Sequence, residues 1–333
     1  MNKPASDLAH EGRAAHMRAV RVTGPGRIEV VSAPLPEPGA GEVRVRLEGC
    51  GVCASNLEPW AGPDWMQFPT GPGDMGHEGW GTIDALGEGV TGLSEGQRVA
   101  CLGQHSFASH DIVAAAEVVA LPAALDGQPV PAEPLGCAMN IFRRSGIAAG
   151  DRVAIVGIGF LGAILTQLAS EAGAEVIAIS RRDSSLALAR RMGAAQTVTM
   201  DDNTRIHEVV GELTVGRFCD VVIEAVGKQG ALDLAGSLVA TGGRLVIAGY
   251  HQDGPRQVDM QSWNWRGIDV INAHERDPAK YVRGMTEGIE AVASGRLDLQ
   301  ALLTHSYDLS ELDAALDATR DKPGDFVKAY VTC

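Results

Sequence analysis

Residues 151–182, DRVAIVGIGFLGAILTQLASEAGAEVIAISRR, constrain the fold more than any other stretch. The run 153–156 is apolar and rich in β-branched residues, as suits a strand buried on both faces. It leads into Gly157-Ile158-Gly159-Phe160-Leu161-Gly162, a G-x-G-x-x-G turn. Behind the turn Leu161, Ile164, Leu165, Leu168 and Ala172 recur at helical spacing, Gly173 ends the helix, and 175–179 reads as a second strand. A glycine-rich turn alone also occurs as plain structure; between a strand and a helix it gains a chemical meaning. Gly157, Gly159 and Gly162 then serve a tight turn, close approach of the backbone to a dinucleotide pyrophosphate, and close helix–strand packing. Phe160 and Leu161 open the helix, whose free N–H groups and dipole favour the anion, and are counted with the cofactor residues.

The rest of the chain divides around this unit. From residue 17 to about 121, short strands are broken by glycine and proline, at 18–22, 28–31, 42–47, 80–86, 98–102 and 110–119, an antiparallel pattern. Beyond 151, candidate strands at 153–156, 175–179, 196–199, 220–224, 244–248 and 268–272 alternate with helical stretches, which predicts a doubly wound parallel sheet. Helix signals at 279–295 and 309–319 and a strand at 326–331 close the chain. The expected organisation is a dinucleotide-binding domain, 138–273, inserted between two parts of a β-rich domain, 17–137 and 274–333. Residues 1–16 read as a disordered extension with His10 and His16 solvated, and Met17 as an alternative start.

A net charge of −14 argues against nucleic acid or an anionic membrane as partner. No apolar run approaches the roughly 20 residues of a membrane helix, and the N-terminus lacks a signal-peptide core. Six cysteines in 333 residues are too few for a disulfide scaffold, so a cytoplasmic location and metal or packing roles are expected.

Four features outside the glycine unit carry chemistry: Cys50-Gly51-Val52-Cys53-Ala54-Ser55-Asn56, Gly76-His77-Glu78-Gly79, Glu133-Pro134-Leu135 and Leu303-Thr304-His305. A thiolate, an imidazole and carboxylates are the ligand types of an open zinc site. Spacing does not fix it: Cys50 and Cys53 also read as buried thiols or a redox C-x-x-C. Cys50, Cys101, Cys219 and Cys333 read as packing residues, and His105 and His110 as solvated. Trp60 and Trp65 suit either a cleft or a core, while Trp263 and Trp265 read as packing. At the end of the second strand an acid would accept the ribose hydroxyls of NAD; instead Ser180, Arg181 and Arg182 stand there. A hydroxyl and two guanidinium groups suit the 2′-phosphate of NADP, with Asp183 left as an alternative acid for NAD.

Over residues 17–333 the chain resembles the zinc-dependent medium-chain dehydrogenase/reductase (alcohol dehydrogenase) superfamily, through CGVCASN, GHEGWG, EPLGCA, GIGFLG and LLTHSYDLSELDAAL. The resemblance implies an α/β fold, a GroES-like β-rich catalytic domain plus a Rossmann doubly wound parallel sheet, assembled as a homodimer or homotetramer. It implies one catalytic zinc, with Cys53, His77 and Glu78 as ligands or near ligands and Glu133 as the fourth, as in the polyol and threonine dehydrogenase branches. Cys137 then packs beside the nicotinamide, Ser55 relays the proton of the substrate alcohol, and Glu58 extends the relay. Two departures stand out. The lobe of four cysteines that holds a structural zinc is missing between Cys101 and Ser106, and Asn56 replaces an aspartate expected to partner the metal-bound histidine. The function implied is hydride transfer between NADP(H) and a secondary alcohol, polyol or sugar-like substrate. The alternatives are a zinc-free quinone or enoyl reductase on the same fold and a non-catalytic NADPH-binding regulator.

Overall fold

The computed structural model describes residues 15–333. The expectation for His10 and for residues 1–14 lies outside them. His16 is exposed, as expected, but its place in a disordered extension is corrected: it opens the first strand, His16–Gly24, and pairs with Pro34 across a hairpin with the strand Arg27–Pro34.

Six parallel strands stand side by side in the order Gln196–Thr199, Glu175–Ser180, Arg152–Val156, Cys219–Glu224, Val239–Ile247 and Asp269–Asn272. Arg152–Val156 is central, and its side chains alternate between two cores. Val153 and Ile155 join Ile164 and Leu165 on one face, while Ala154 and Val156 join Leu232 and Leu234 on the other. All four of these strand residues are fully buried, which accounts for the unbroken apolar run. The chain winds outward from this strand first one way and then the other. A crevice therefore opens where Arg152–Val156 and Cys219–Glu224 end, the usual ligand position in such sheets.

The second sheet gathers residues from both ends of the chain. Its order is Leu303–Asp308, Lys328–Thr332, Glu42–Gly51, Gly79–Leu86, Arg98–Cys101 and Val118–Ala120, with His110–Ala114 also pairing against Glu42–Gly51. Tyr330 lies opposite Gly51, so the last strand runs beside the segment leading to Cys53.

Several local expectations are corrected. The stretch 110–119 is two strands separated by a 3-10 turn, Ala115–Glu117, where Ala115 N–H bonds to Gly41 instead of the sheet. His110 is half-buried in its strand near Asp84, not solvated. Leu303–Asp308 is a strand, and its His305 stacks on Phe326 while Thr304 caps Val327 N–H, so this segment is architecture. Trp263 is buried, but Trp265 is 88% exposed and packs in no core. Trp60 is buried with its indole N–H on Asp317, whereas Trp65 is exposed. Among the described residues no helix is long and apolar enough to cross a membrane.

The glycine turn is held by contact as well as by dihedral freedom. Gly157 has φ of 100°, and a Cβ on Gly162 would stand 2.1 Å from the Gly157 carbonyl oxygen. A Cβ on Gly159 would meet nothing within 4 Å. Gly162→Ala is therefore expected to destabilise the fold by about 1–3 kcal/mol, as an overpacked core does. Gly159→Ala should leave stability unchanged, which paired urea titrations followed by circular dichroism will check.

Candidate active site

Cys53 follows the strand Glu42–Gly51 and caps the 3-10 turn Ala54–Asn56, with its Sγ 3.5 Å from Ser55 N. His77 and Glu78 arrive on the loop preceding the strand Gly79–Leu86. The thiol, the imidazole and the Glu78 carboxylate each place a ligand atom within 4.8 Å of the others. Tight backbone packing makes this possible. A Cβ on Gly76 would lie 2.2 Å from Phe107 N, and one on Gly51 would lie 1.9 Å from Glu78 Oε2.

His77 Nδ1 lies 2.9 Å from the carbonyl of Met75. A carbonyl only accepts, so Nδ1 carries the proton and Nε2 faces the cluster. Met75 is not glycine yet has φ of 75°, and its carbonyl also accepts from Asn56 Nδ2 at 2.9 Å. Asn56 Oδ1 in turn accepts from Cys53 N at 3.2 Å. The expectation for Asn56 is thereby corrected: its hydrogen bonds run to Met75 and Cys53, and it meets the histidine only through a shared carbonyl.

Glu78 is fully buried and paired with Lys328, whose Nζ lies 2.9 Å from Oε1 and 2.7 Å from Oε2. Oε2 is close to this ammonium but has no aligned hydrogen-bond donor. Lys328 also donates to Val52 O at 3.2 Å and sits 5.0 Å over the ring of Phe160. One side chain thus joins the metal-type cluster to the glycine turn.

Burial works against a charge on His77, but Cys53, Glu133 and Glu78 outweigh it and raise its pKa to about 10. Burial, too, works against a charge on Lys328, and Glu78 and Cys53 outweigh it. The site is strongly cation-seeking. Its donor set of sulfur, nitrogen and a buried oxygen suits zinc.

Glu133 and Cys137 stand one turn apart on the helix Glu133–Ser145. Glu133 is outside the three-residue group but near enough to act electrostatically on His77. Its carboxylate accepts from the Tyr281 hydroxyl, and the Cys137 thiol touches both. Burial and the neighbouring Glu78 raise the Glu133 pKa, against the opposing pull of His77. Tyr281 belongs to the helix Pro278–Ala293. The two helices approach closely because Gly284 faces the Gly136 carbonyl and Gly288 faces Leu135. Ser55 is half-buried beside Cys53, and Glu58 lies half-buried on the short helix Leu57–Ala61. Cys50, Cys101 and Cys219 are buried, and Cys333 is half-buried. His105 is exposed and paired with Asp74.

Across the crevice Gly159 precedes the helix Phe160–Glu171 and leaves open space before it. Phe160 is buried and Leu161 packs against the core. Ser180 is buried at the end of its strand, Arg181 is exposed, and Arg182 Nη1 is buried without a hydrogen-bond partner among the described residues. An open cradle and an orphaned guanidinium nitrogen fit a phosphorylated dinucleotide. Asp183 is exposed and begins the next helix, Asp183–Arg191.

Three residues of this region escaped the sequence reading. Lys328 was visible as a lone charge in an apolar strand, and Glu224 likewise as an acid ending one. Glu224 is fully buried, accepts from Val226 and Gly227 N–H, and lies 2.9 Å from His251 Nε2. Tyr281 carried no local signal.

The Alcohol dehydrogenase GroES-like domain model matches residues 39–173, and the Zinc-binding dehydrogenase model matches 161–291. A Moraxella alcohol dehydrogenase is 31% identical over 255 residues, covering 67% of this chain and 74% of that protein. The sorbitol dehydrogenase of Halalkalibacterium halodurans is 28% identical, covering 93% of this chain and 96% of the relative. A Sinorhizobium meliloti structure, described as a zinc-binding dehydrogenase and bound to NADP, superposes with a TM-score of 0.81 at 27% identity, covering 96% of this chain and all of that one. With these matches beside the site, the chain belongs to the zinc-type medium-chain dehydrogenase/reductase family, on its polyol dehydrogenase-like side, and is an oxidoreductase.

Proposed function

We propose that the protein is a zinc- and NADP-dependent dehydrogenase that interconverts a secondary alcohol, polyol or sugar-like substrate with its carbonyl form. One observation carries the reading: sulfur, imidazole nitrogen and a wholly buried carboxylate converge within 4.8 Å. Zinc, when bound, supplies Lewis acidity toward a substrate oxygen, and NADP(H) supplies or accepts the hydride. Cys53, His77 and Glu78 hold the ion, with Glu133 as the fourth group and no second, structural zinc. Lys328 holds the Glu78 carboxylate in place. Ser55 moves the proton of the substrate hydroxyl, and Glu58 carries it onward. Gly157, Gly159, Phe160, Leu161 and Gly162 seat the pyrophosphate, while Ser180, Arg181 and Arg182 take the 2′-phosphate. Cys137 packs on the nicotinamide side.

The domain limits proposed are 17–137, 138–273 and 274–333, in a cytoplasmic enzyme. The edge strand Asp269–Asn272 leaves Val270 exposed, and Trp265 and Met260 are exposed just before it. A second copy covering this edge gives the homodimer, and pairing of dimers the homotetramer.

Cys53→Ser is expected to lose its zinc in metal analysis and at least a hundredfold in kcat/KM on a panel of polyols and secondary alcohols. A wild-type protein without zinc that reduces quinones or enones would instead establish the zinc-free reading. NADPH binding with no turnover on either panel would establish the regulatory one.

The raised His77 pKa gives a pH prediction. Its folded value, about 10, lies above the ordinary histidine value, so in metal-free protein the protonated imidazole stabilises the fold fully below about pH 6.5. That contribution fades as pH rises through about 10. Zinc binding near pH 8 must displace this proton, so affinity for the metal-free protein should rise about tenfold per pH unit from 7 to 9. Calorimetry in two buffers of different ionisation enthalpy should register at least one proton released; equal heats would contradict it.

A further inference from the structure

We infer that Tyr281 is a positioning residue for the reaction: its hydroxyl draws Glu133 back from the metal position and leaves the place beside Cys53, His77 and Glu78 open to the substrate oxygen. The inference rests on the zinc reading and gives a role to a side chain 148 residues beyond Glu133 in the chain. Tyr281 is 8% exposed and lies on the helix Pro278–Ala293, which packs against the start of the helix Glu133–Ser145. Glycine at this crossing gives the phenol its place. A Cβ on Gly136 would stand 3.2 Å from Tyr281 Cδ1 and 2.9 Å from Met285 Cγ. A larger residue there would push the ring away from the Glu133 carboxylate.

Donor chemistry fixes where the protons lie. A carboxylate only accepts, so the one phenolic proton goes to Glu133 Oε1. The Cys137 thiol touches the same hydroxyl and must then donate to the phenol oxygen. Burial and the Glu133 charge push this thiol well above its ordinary pKa, in keeping with a donor. Glu133 Oε1 also has the Cys137 sulfur at 3.9 Å, whereas Oε2 makes no hydrogen bond among the described residues. The carboxylate is therefore tethered through one oxygen to the helix Pro278–Ala293. It stands outside the three groups that converge within 4.8 Å, although near enough to act on His77. An untethered carboxylate at that range would close the fourth position of a zinc held by three residues, and a catalytic zinc keeps that position open. A hydrogen bond from Tyr281 to a charged acceptor is strong enough to compete for it.

The test is zinc uptake by the metal-free full chain, followed by competition with a chelator, for the parent, Tyr281→Phe, Glu133→Gln and the two substitutions combined. Tyr281→Phe should bind zinc about tenfold more tightly, because the released carboxylate joins the ion. With Glu133→Gln added the gain should vanish, since an amide brings no charge to the metal. A folding defect cannot imitate this result, because a loosened site binds zinc more weakly. With zinc bound, Tyr281→Phe should raise KM for the best alcohol of the panel about tenfold and leave kcat within about threefold, as substrate must first displace Glu133. Unchanged zinc affinity in Tyr281→Phe would overturn the proposal. A weaker affinity would overturn it as well, by making Tyr281 the support of a ligating Glu133; in both cases the zinc reading stands. A parent chain that takes up no zinc would bring down the zinc reading itself, and the proposal with it.

Discussion

The buried pair of Glu78 and Lys328 holds the two halves of the site in register. Lys328 comes from the last strand and Glu78 from the loop before the strand Gly79–Leu86, and the two side chains are 6% and 0% exposed. Neither charge is tolerable alone there; leaving one unpaired typically costs about 3–5 kcal/mol. The pair therefore requires the C-terminal strand to return beside Gly51, and it does so at Tyr330. The same ammonium rests over Phe160, at the start of the helix that follows the glycine turn. The cation that orients the Glu78 carboxylate thus also fixes where the dinucleotide cradle stands relative to it.

Charge balance explains the rest of the cluster. A thiol, Glu78 and Glu133 gather around one imidazole and one ammonium, and burial resists the charge on His77, Glu133 and Lys328. His77 responds by holding its proton tightly, so any other cation must compete with that proton for the imidazole. Glu133 is the adjustable member. Its oxygen is held by Tyr281 from another helix, through a close approach that Gly136, Gly284 and Gly288 permit.

Legibility in the sequence followed the range of each interaction. The strand, turn and helix of 151–182 are read from neighbours a few residues apart, and their periodicity survives intact in the two-faced core. The doubly wound parallel sheet followed from the same local alternation of strand and helix, whereas the order of its six strands came only with the structure. By contrast, Lys328 and Glu78 are separated by 250 residues, and Tyr281 and Glu133 by 148. No window contains either pair. Leu303–Asp308 escaped for a related reason: it pairs in parallel with Lys328–Thr332, and its exposed and half-buried residues give no apolar stripe. Lys328 was readable all the same, because a lone charge in an apolar strand requires a buried partner.

Asn56 looks like a loss when compared with an aspartate, since a carboxylate would make the histidine more basic. Its contacts reverse that view. The side chain must accept from Cys53 N and donate to Met75 O at the same time. An amide does both, whereas an aspartate would set a carboxylate oxygen against the Met75 carbonyl. That carbonyl is committed to His77 Nδ1, and Met75 holds it there in a left-handed conformation that costs a non-glycine residue of order 1–3 kcal/mol. The orientation that a carboxylate supplies by charge is supplied here by a strained backbone carbonyl, with the amide of Asn56 bracing it. The imidazole is aimed by a neutral acceptor, and buried charge is left to the pair of Glu78 and Lys328.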